Sequence, residues 1–306
     1  VLGYIRDLLI ARFLGAGLVS DAFFVSFKLP NLFRRLFAEG SVNSAFIPVV
    51  SGIKTRFGKK KSDEFLSTIF SLLLSFLFIL LVIFEIFMPF IIKLIAPGFN
   101  NNPEKFLLGV ELSRLTLPFV LFVCITSLIG GYLNTLGKFA AMAFTPVILN
   151  LTMISTLIIF LNIDDQLLLT KYLSFSISLA GVIQLIWILF NLKKNKSTLG
   201  FEIPRLKMFI KPSSNIKRFF VLLLPAIIGN GAYQLNLLID MILASTLPDG
   251  SISFLYYSDR VNQLPLGVLG IAISTALLPI LSKEVKQGKI KQATKSITKA
   301  IKFGIF

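Results

Sequence analysis

Residues 65–95 read FLSTIFSLLLSFLFILLVIFEIFMPFIIKLI, with Glu85 and Lys93 as the sole charges. A helix rising ~1.5 Å per residue needs roughly 20 apolar residues to cross the ~30 Å hydrocarbon core of a bilayer. This stretch exceeds that length without interruption. It therefore predicts a membrane-spanning helix, and the rest of the chain repeats the pattern. Further apolar segments occupy 1–14, 22–53, 106–136, 139–160, 172–190, 219–245 and 253–282, with another beginning near 290. Segment 22–53 is interrupted by Pro30 and Gly40, and segment 253–282 by Pro265 and Gly267.

Composition agrees with that reading. The 306 residues are 55% hydrophobic with a mean hydropathy of +0.82, and the apolar excess over a soluble domain must face something other than water. Phenylalanine occurs 31 times against one Trp, which suits lipid-facing helices. Val1 lies inside an apolar stretch, with no Met and no basic region before it, so no cleavable signal peptide is read. Both ends enter apolar runs, and the expectation is a piece of a longer chain. The lone Cys124 excludes an internal disulfide and reads as a small buried hydrophobe. With no histidine, His-based zinc sites, Ser-His-Asp triads and His proton relays are excluded.

The net charge of +16 would suggest nucleic acid in a soluble protein, but its distribution argues otherwise. The connections alternate. Lys54–Asp63, Gly137–Ala140, Asn191–Arg218 and Lys283–Lys302 carry 21 Lys and Arg, whereas Gly15–Asp21, Ala96–Lys105, Leu161–Lys171 and Thr246–Ser253 carry 2. The positive-inside rule places the first set in the cytoplasm. Most of the charge is thus topology, and no nucleic-acid partner is implied. The long 191–218 connection, with Pro204 and Pro212, divides the chain into a first lobe at 1–195, a linker at 196–218 and the start of a second lobe at 219–306. A short amphipathic surface helix around Arg205–Lys211 and plain coil are both open readings of that linker. A shift of 231 residues aligns Phe23 with Phe254, Asn31 with Asn262, Ala45 with Ala276, Pro48 with Pro279 and Ser51 with Ser282, the pattern of a parallel repeat.

Topology leaves eight basic residues over: Arg6, Arg12, Lys28, Arg34, Arg35, Lys93, Arg114 and Arg260. Arg12 and Lys93 lie near helix ends and can snorkel. The spacing of Glu111 and Arg114, i and i+3, predicts mutual neutralisation. Arg6 and Arg260 fall ~12 Å below their outer helix ends and Arg34 ~18 Å, near the midplane. An Arg at that depth costs at least ~2.5–3.5 kcal/mol. Asp7 and Asp259 adjoin arginines, but neighbours along a helix do not face each other, so pairing need not be within the dipeptide. Glu39 lies one turn from Arg35, while Glu85 and Asp240 have no role assigned. Ion pairing that only fixes helix packing is one account of these arginines. Their excess over nearby anions favours another, an anionic ligand whose phosphate oxygens suit the planar guanidinium.

Several strings resemble a known family. Gly3-Tyr4-Ile5-Arg6-Asp7, Ala11-Arg12-Phe13-Leu14-Gly15-Ala16-Gly17, Ser20-Asp21-Ala22-Phe23-Phe24-Val25 and Lys28-Leu29-Pro30-Asn31-Leu32-Phe33-Arg34-Arg35-Leu36-Phe37-Ala38-Glu39-Gly40 are similar to the start of the MurJ (MviN) lipid II flippases. Tyr256-Tyr257-Ser258-Asp259-Arg260 and Leu264-Pro265-Leu266-Gly267-Val268-Leu269-Gly270 look like that family's eighth helix. The resemblance implies an all-α polytopic transmembrane transporter of the multidrug/oligosaccharidyl-lipid/polysaccharide exporter superfamily, with two pseudo-symmetric helical lobes around a central cavity. It implies movement of undecaprenyl-diphosphate-linked peptidoglycan precursor, lipid II, from the cytoplasmic to the periplasmic leaflet of the bacterial inner membrane. The family's transport positions match Arg6, Asp7, Asp21, Arg34, Arg35, Glu39 and Arg260. Lipid II and membrane lipids are the implied partners, with the cell-wall synthesis machinery a further candidate. No catalytic residue, metal or cofactor is implied, and a coupling ion is left open. The alternatives are an exporter of another polyprenyl-linked oligosaccharide or of drugs, and an intramembrane enzyme acting on polyprenyl phosphates.

Overall fold

In the computed structural model, residues 2–163, 165–204 and 213–265 are described, with isolated positions beyond 276. Among these residues the chain is helical and has no strand. The helices are α1 (Leu2–Leu14), α2 (Leu18–Phe33), α3 (Val42–Ile95), α4 (Pro103–Thr116), α5 (Pro118–Thr135), α6 (Phe139–Ala143), α7 (Thr145–Ile159), α8 (Gln166–Lys194), α9 (Ser214–Ser245) and α10 (Ser251–Pro265). A π-helical segment, Arg34–Ser41, joins α2 to α3, and a 3-10 turn, Pro97–Asn101, precedes α4. Five helical stretches among the described residues are long and apolar enough to cross a membrane: Val42–Ile95, Pro103–Thr135, Phe139–Ile159, Gln166–Lys194 and Ser214–Ser245. The protein is an all-α integral membrane protein.

Local sequence explains most boundaries. Asn102 Oδ1 accepts from the N–H groups of Glu104 and Lys105, and Pro103 follows as the first helical residue, so α4 starts there. Asp165 caps α8 in the same way through Leu167 and Leu168. The interruption expected at Pro30 and Gly40 is real. Proline removes a backbone donor, and the chain widens into the π segment before α3 begins.

The basic stretch 54–63 departs from expectation. Instead of a loop it is helical on both sides of Gly58, whose φ of 79° is the one non-helical point within α3. Lys and Glu are good helix formers and their polar heads reach solvent from long stems, so polarity alone does not end a helix. The 106–136 segment is likewise two helices, broken at Pro118 yet nearly continuous through Leu117.

The chain divides into a unit at 1–253 and a second at 254–306. Within the first, α5 is central and packs on α3 and α8, while α2 lies on α4, α7 on α8 and α9 on α3. A Cβ at Gly130 would run into Met142, and one at Gly131 into Asn43, so these small residues let α5 approach its neighbours closely. Phe76, Phe78, Ile79, Ile86, Phe87 and Phe90 stay exposed on α3, a surface suited to lipid. Of the aligned repeat pairs, Ala276, Pro279 and Ser282 lie outside the described residues, as do Gly267 and the linker positions 205–212.

Candidate functional site

Arg6 and Asp7 sit on α1 with 6% and 5% of their surface exposed. Of the pairings the sequence left open, the structure shows the one within the dipeptide. Arg6 Nε and Nη2 both donate to Asp7 Oδ1, at 2.9 and 2.7 Å. The residues diverge by ~100° around the helix, but the arginine stem is long enough to fold its fork back over the gap. The guanidinium also lies 5.8 Å from the centroid of Phe27 on α2. Arg6 is therefore charge-compensated, although Nη1 is not engaged by Asp7 and retains its donors.

The π segment carries Arg34 and Arg35, both half-buried. Arg34 Nε donates to Asn31 Oδ1 one turn back, at 3.3 Å. Glu39 belongs to the same segment by its backbone, but its side chain lies outside the described residues. Arg260 stands on α10 in the second unit. Its Nη2 donates to Tyr256 Oη at 3.1 Å, its Nη1 to Gln263 Oε1 at 3.2 Å, and it stacks 4.9 Å from the Tyr256 ring centroid. Asp259 instead accepts from Gln263 Nε2 at 2.6 Å.

Asp21 occupies a different place, in the first turn of α2, where the poorly charged loops meet. Its side chain is 1% exposed and accepts four hydrogen bonds. Oδ2 takes Lys105 Nζ at 2.9 Å and Gly250 N at 2.8 Å, while Oδ1 takes Ser253 N at 2.9 Å and Ser253 Oγ at 2.7 Å. Lys105 Nζ also donates to Asp249 Oδ1 at 2.7 Å and sits 4.6 Å from the Phe99 centroid. One buried ammonium thus ties the start of α2 to the α9–α10 turn, and Asp21 caps the N-terminus of α10.

Lys105 was missed in the sequence because it was counted as a loop cation. A signal was present. Asn102-Pro103 puts Lys105 in the first turn of a helix, where the dipole disfavours a cation unless an anion is near.

A second pairing also differs. Glu111 binds Lys171 on α8 at 2.8 Å, and Arg114 turns to Glu85 on α3, with 3.8 Å between Nε and Oε2 and a 3.3 Å bond from Nη2 to the Glu85 carbonyl. The i, i+3 spacing permitted an intrahelical pair, but packing of α4 against α3 and α8 brought each residue a partner on another helix.

With this geometry in view, comparison with known proteins is decisive. Residues 10–306 match the family model described as Lipid II flippase MurJ. The chain belongs to the lipid II flippase MurJ family. A probable lipid II flippase MurJ of Rickettsia prowazekii is 39% identical over 100% of this chain and 58% of its own length. That of Rhizobium tropici is 38% identical over 100% of this chain and 56% of its own. The chain thus spans little more than half the length of these curated MurJ relatives. A solved structure of a lipid II flippase MurJ in an inward closed conformation superimposes with a TM-score of 0.76 at 28% identity, covering 93% of this chain and 57% of that one. A multidrug resistance MATE family transporter of the MOP superfamily, inward-facing, gives 0.71 at 18% identity over 99% of this chain and 67% of its own, a likeness of fold.

Proposed function

We propose that this chain forms part of a flippase that carries lipid II across the bacterial inner membrane by alternating access. The observation that carries the reading is Arg34 and Arg35 on a π-helical break inside an otherwise apolar segment. π segments recur at functional sites, and guanidinium groups at membrane depth are costly unless they serve a ligand or a wet cavity. Their planar forks suit the oxygens of a polyprenyl diphosphate. Arg6, with Asp7 holding one edge of its fork, would add to this anion site in the first unit, Glu39 follows Arg35 by four residues, and Arg260 is a further candidate in the second unit. The polyprenyl tail would remain in lipid.

In this reading the lobes are 1–195 and 219 onward, joined by the 196–218 linker, and the basic connections face the cytoplasm. The Asp21–Lys105–Asp249 junction is then periplasmic and shut, as an inward-facing state requires. Transport, with the cargo unchanged, distinguishes this function from enzymatic turnover of the same lipid.

The test replaces Arg34 with Ala in the full-length protein and measures lipid-linked precursor at the outer leaflet of cells depleted of their own flippase. Exposure should fall at least tenfold at normal expression. Undiminished exposure would overturn the anion-site reading, and hydrolysed precursor formed by the purified protein would favour an enzyme.

A further inference from the structure

The linker begins with an ordered track. Asp63, Ser67 and Ser71 lie at i, i+4 and i+8 on one face of α3. Facing them are Thr198, Gly200 and Glu202, alternate residues of the chain that leaves α8. Thr198 N donates to Asp63 Oδ2 at 3.5 Å, Gly200 N to Ser67 Oγ at 2.9 Å, and Glu202 N to Ser71 Oγ at 3.1 Å. Four helical residues rise ~6.0 Å and two extended residues ~6.4–6.8 Å, so an extended chain stays in step with a helix face over these three rungs.

The serines are committed as acceptors. Ser67 Oγ donates to the Asp63 carbonyl at 2.9 Å and Ser71 Oγ to the Ser67 carbonyl at 2.8 Å. Each hydroxyl proton is used within the helix, leaving lone pairs for the passing backbone. The ends of the track are fastened too. Lys59 Nζ donates to the carbonyls of Asn195 and Lys196, at 2.7 and 2.8 Å, where the chain turns through Lys196 with φ of 53°. Tyr132 of α5 donates to Asp63 Oδ1, and Phe201 meets Phe70 edge-on with centroids 6.5 Å apart. Phe201 and Ile203 themselves stay exposed.

A passive tether would need none of these bonds. We infer that residues 195–202 are a fixed strap of the first lobe, one that stays bonded to α3 through lobe movement. The strap itself is independent of the cargo; its bearing on lobe movement rests on the alternating-access reading above.

Geometry supplies the test. A Cβ at Gly200 would lie 4.0 Å from Ser67 Cβ, inside the ~3.5–4.5 Å range of disulfides. The S67C/G200C pair, in the full-length protein with its other cysteines replaced, should lose both thiols to a maleimide mass tag after mild oxidation. Transport in depleted cells should stay within twofold of the reduced sample. Failure to cross-link, or transport lost on oxidation and recovered on reduction, would overturn the strap. If transport is absent in both redox states, the flippase reading is in question and a cargo-free measurement decides the strap. Tryptic cleavage after Lys196 should speed up at least fivefold in S67A/S71A, and an unchanged rate would count against it.

Discussion

Asp21 and Lys105 stand 84 positions apart in sequence and 2.9 Å apart in space, both almost wholly buried. Lys105 is the sole cation bonded to Asp21 among the described contacts, and it simultaneously holds Asp249. Replacing it with Met would leave the buried Asp21 carboxylate without its cation, near the half-exposed Asp249. Removing one partner of a buried pair costs about 3–5 kcal/mol. K105M should therefore lower the thermal midpoint of the purified protein and raise labelling of a cysteine placed at Ser253. Adding Asp21→Asn should recover part of the loss. Equal stability of K105M and the parent would show that the bridge contributes nothing.

The Arg6–Asp7 pair makes a second prediction. Because both groups are buried, R6A and D7A should each be more harmful than their combination implies by addition. A thermal-unfolding cycle over the four variants should give a coupling of about 1–3 kcal/mol. Additivity would mean that the pair is incidental and that each residue answers to other neighbours.

Gly98 and Gly52 should respond to alanine with opposite signs. A Cβ on Gly98 would collide with the Ser245 carbonyl, backbone against backbone, whereas nothing lies within 4 Å of one on Gly52 inside α3. Gly98→Ala should destabilise by more than about 2 kcal/mol, and Gly52→Ala should stabilise by about 0.4–1 kcal/mol through reduced unfolded-state freedom. Melting curves of the two single variants check both.

Orientation is testable without any transport assay. A membrane-impermeant maleimide applied to intact spheroplasts should label N101C and spare K60C, since the second lies in a basic stretch. The reverse pattern would invert the topology and with it the periplasmic assignment of the Asp21 junction.

Spans and breaks were legible because their causes are local. Residues 65–95 are apolar over more than the thickness of a bilayer, and Pro30 removes a donor wherever its helix lies. The alternation of basic connections could likewise be counted. Local reasoning failed at 54–63, where a run of lysines looked like a loop and proved to be helix on either side of Gly58. It failed again at Glu111, whose partner Lys171 belongs to another helix.

The sequence by itself determined an all-α membrane protein, the place where its second span breaks, and the set of charges that topology leaves over. Only the tertiary structure decided which polar groups meet. Arg6 closes on Asp7, Lys105 reaches Asp21, and Ser67 and Ser71 take the backbone of a distant linker. Hydrophobic burial sums along the chain, so its pattern is readable residue by residue. Pairing depends on the rotation and register of one helix against another, set by packing of uncharged side chains whose summed effect no local spacing records.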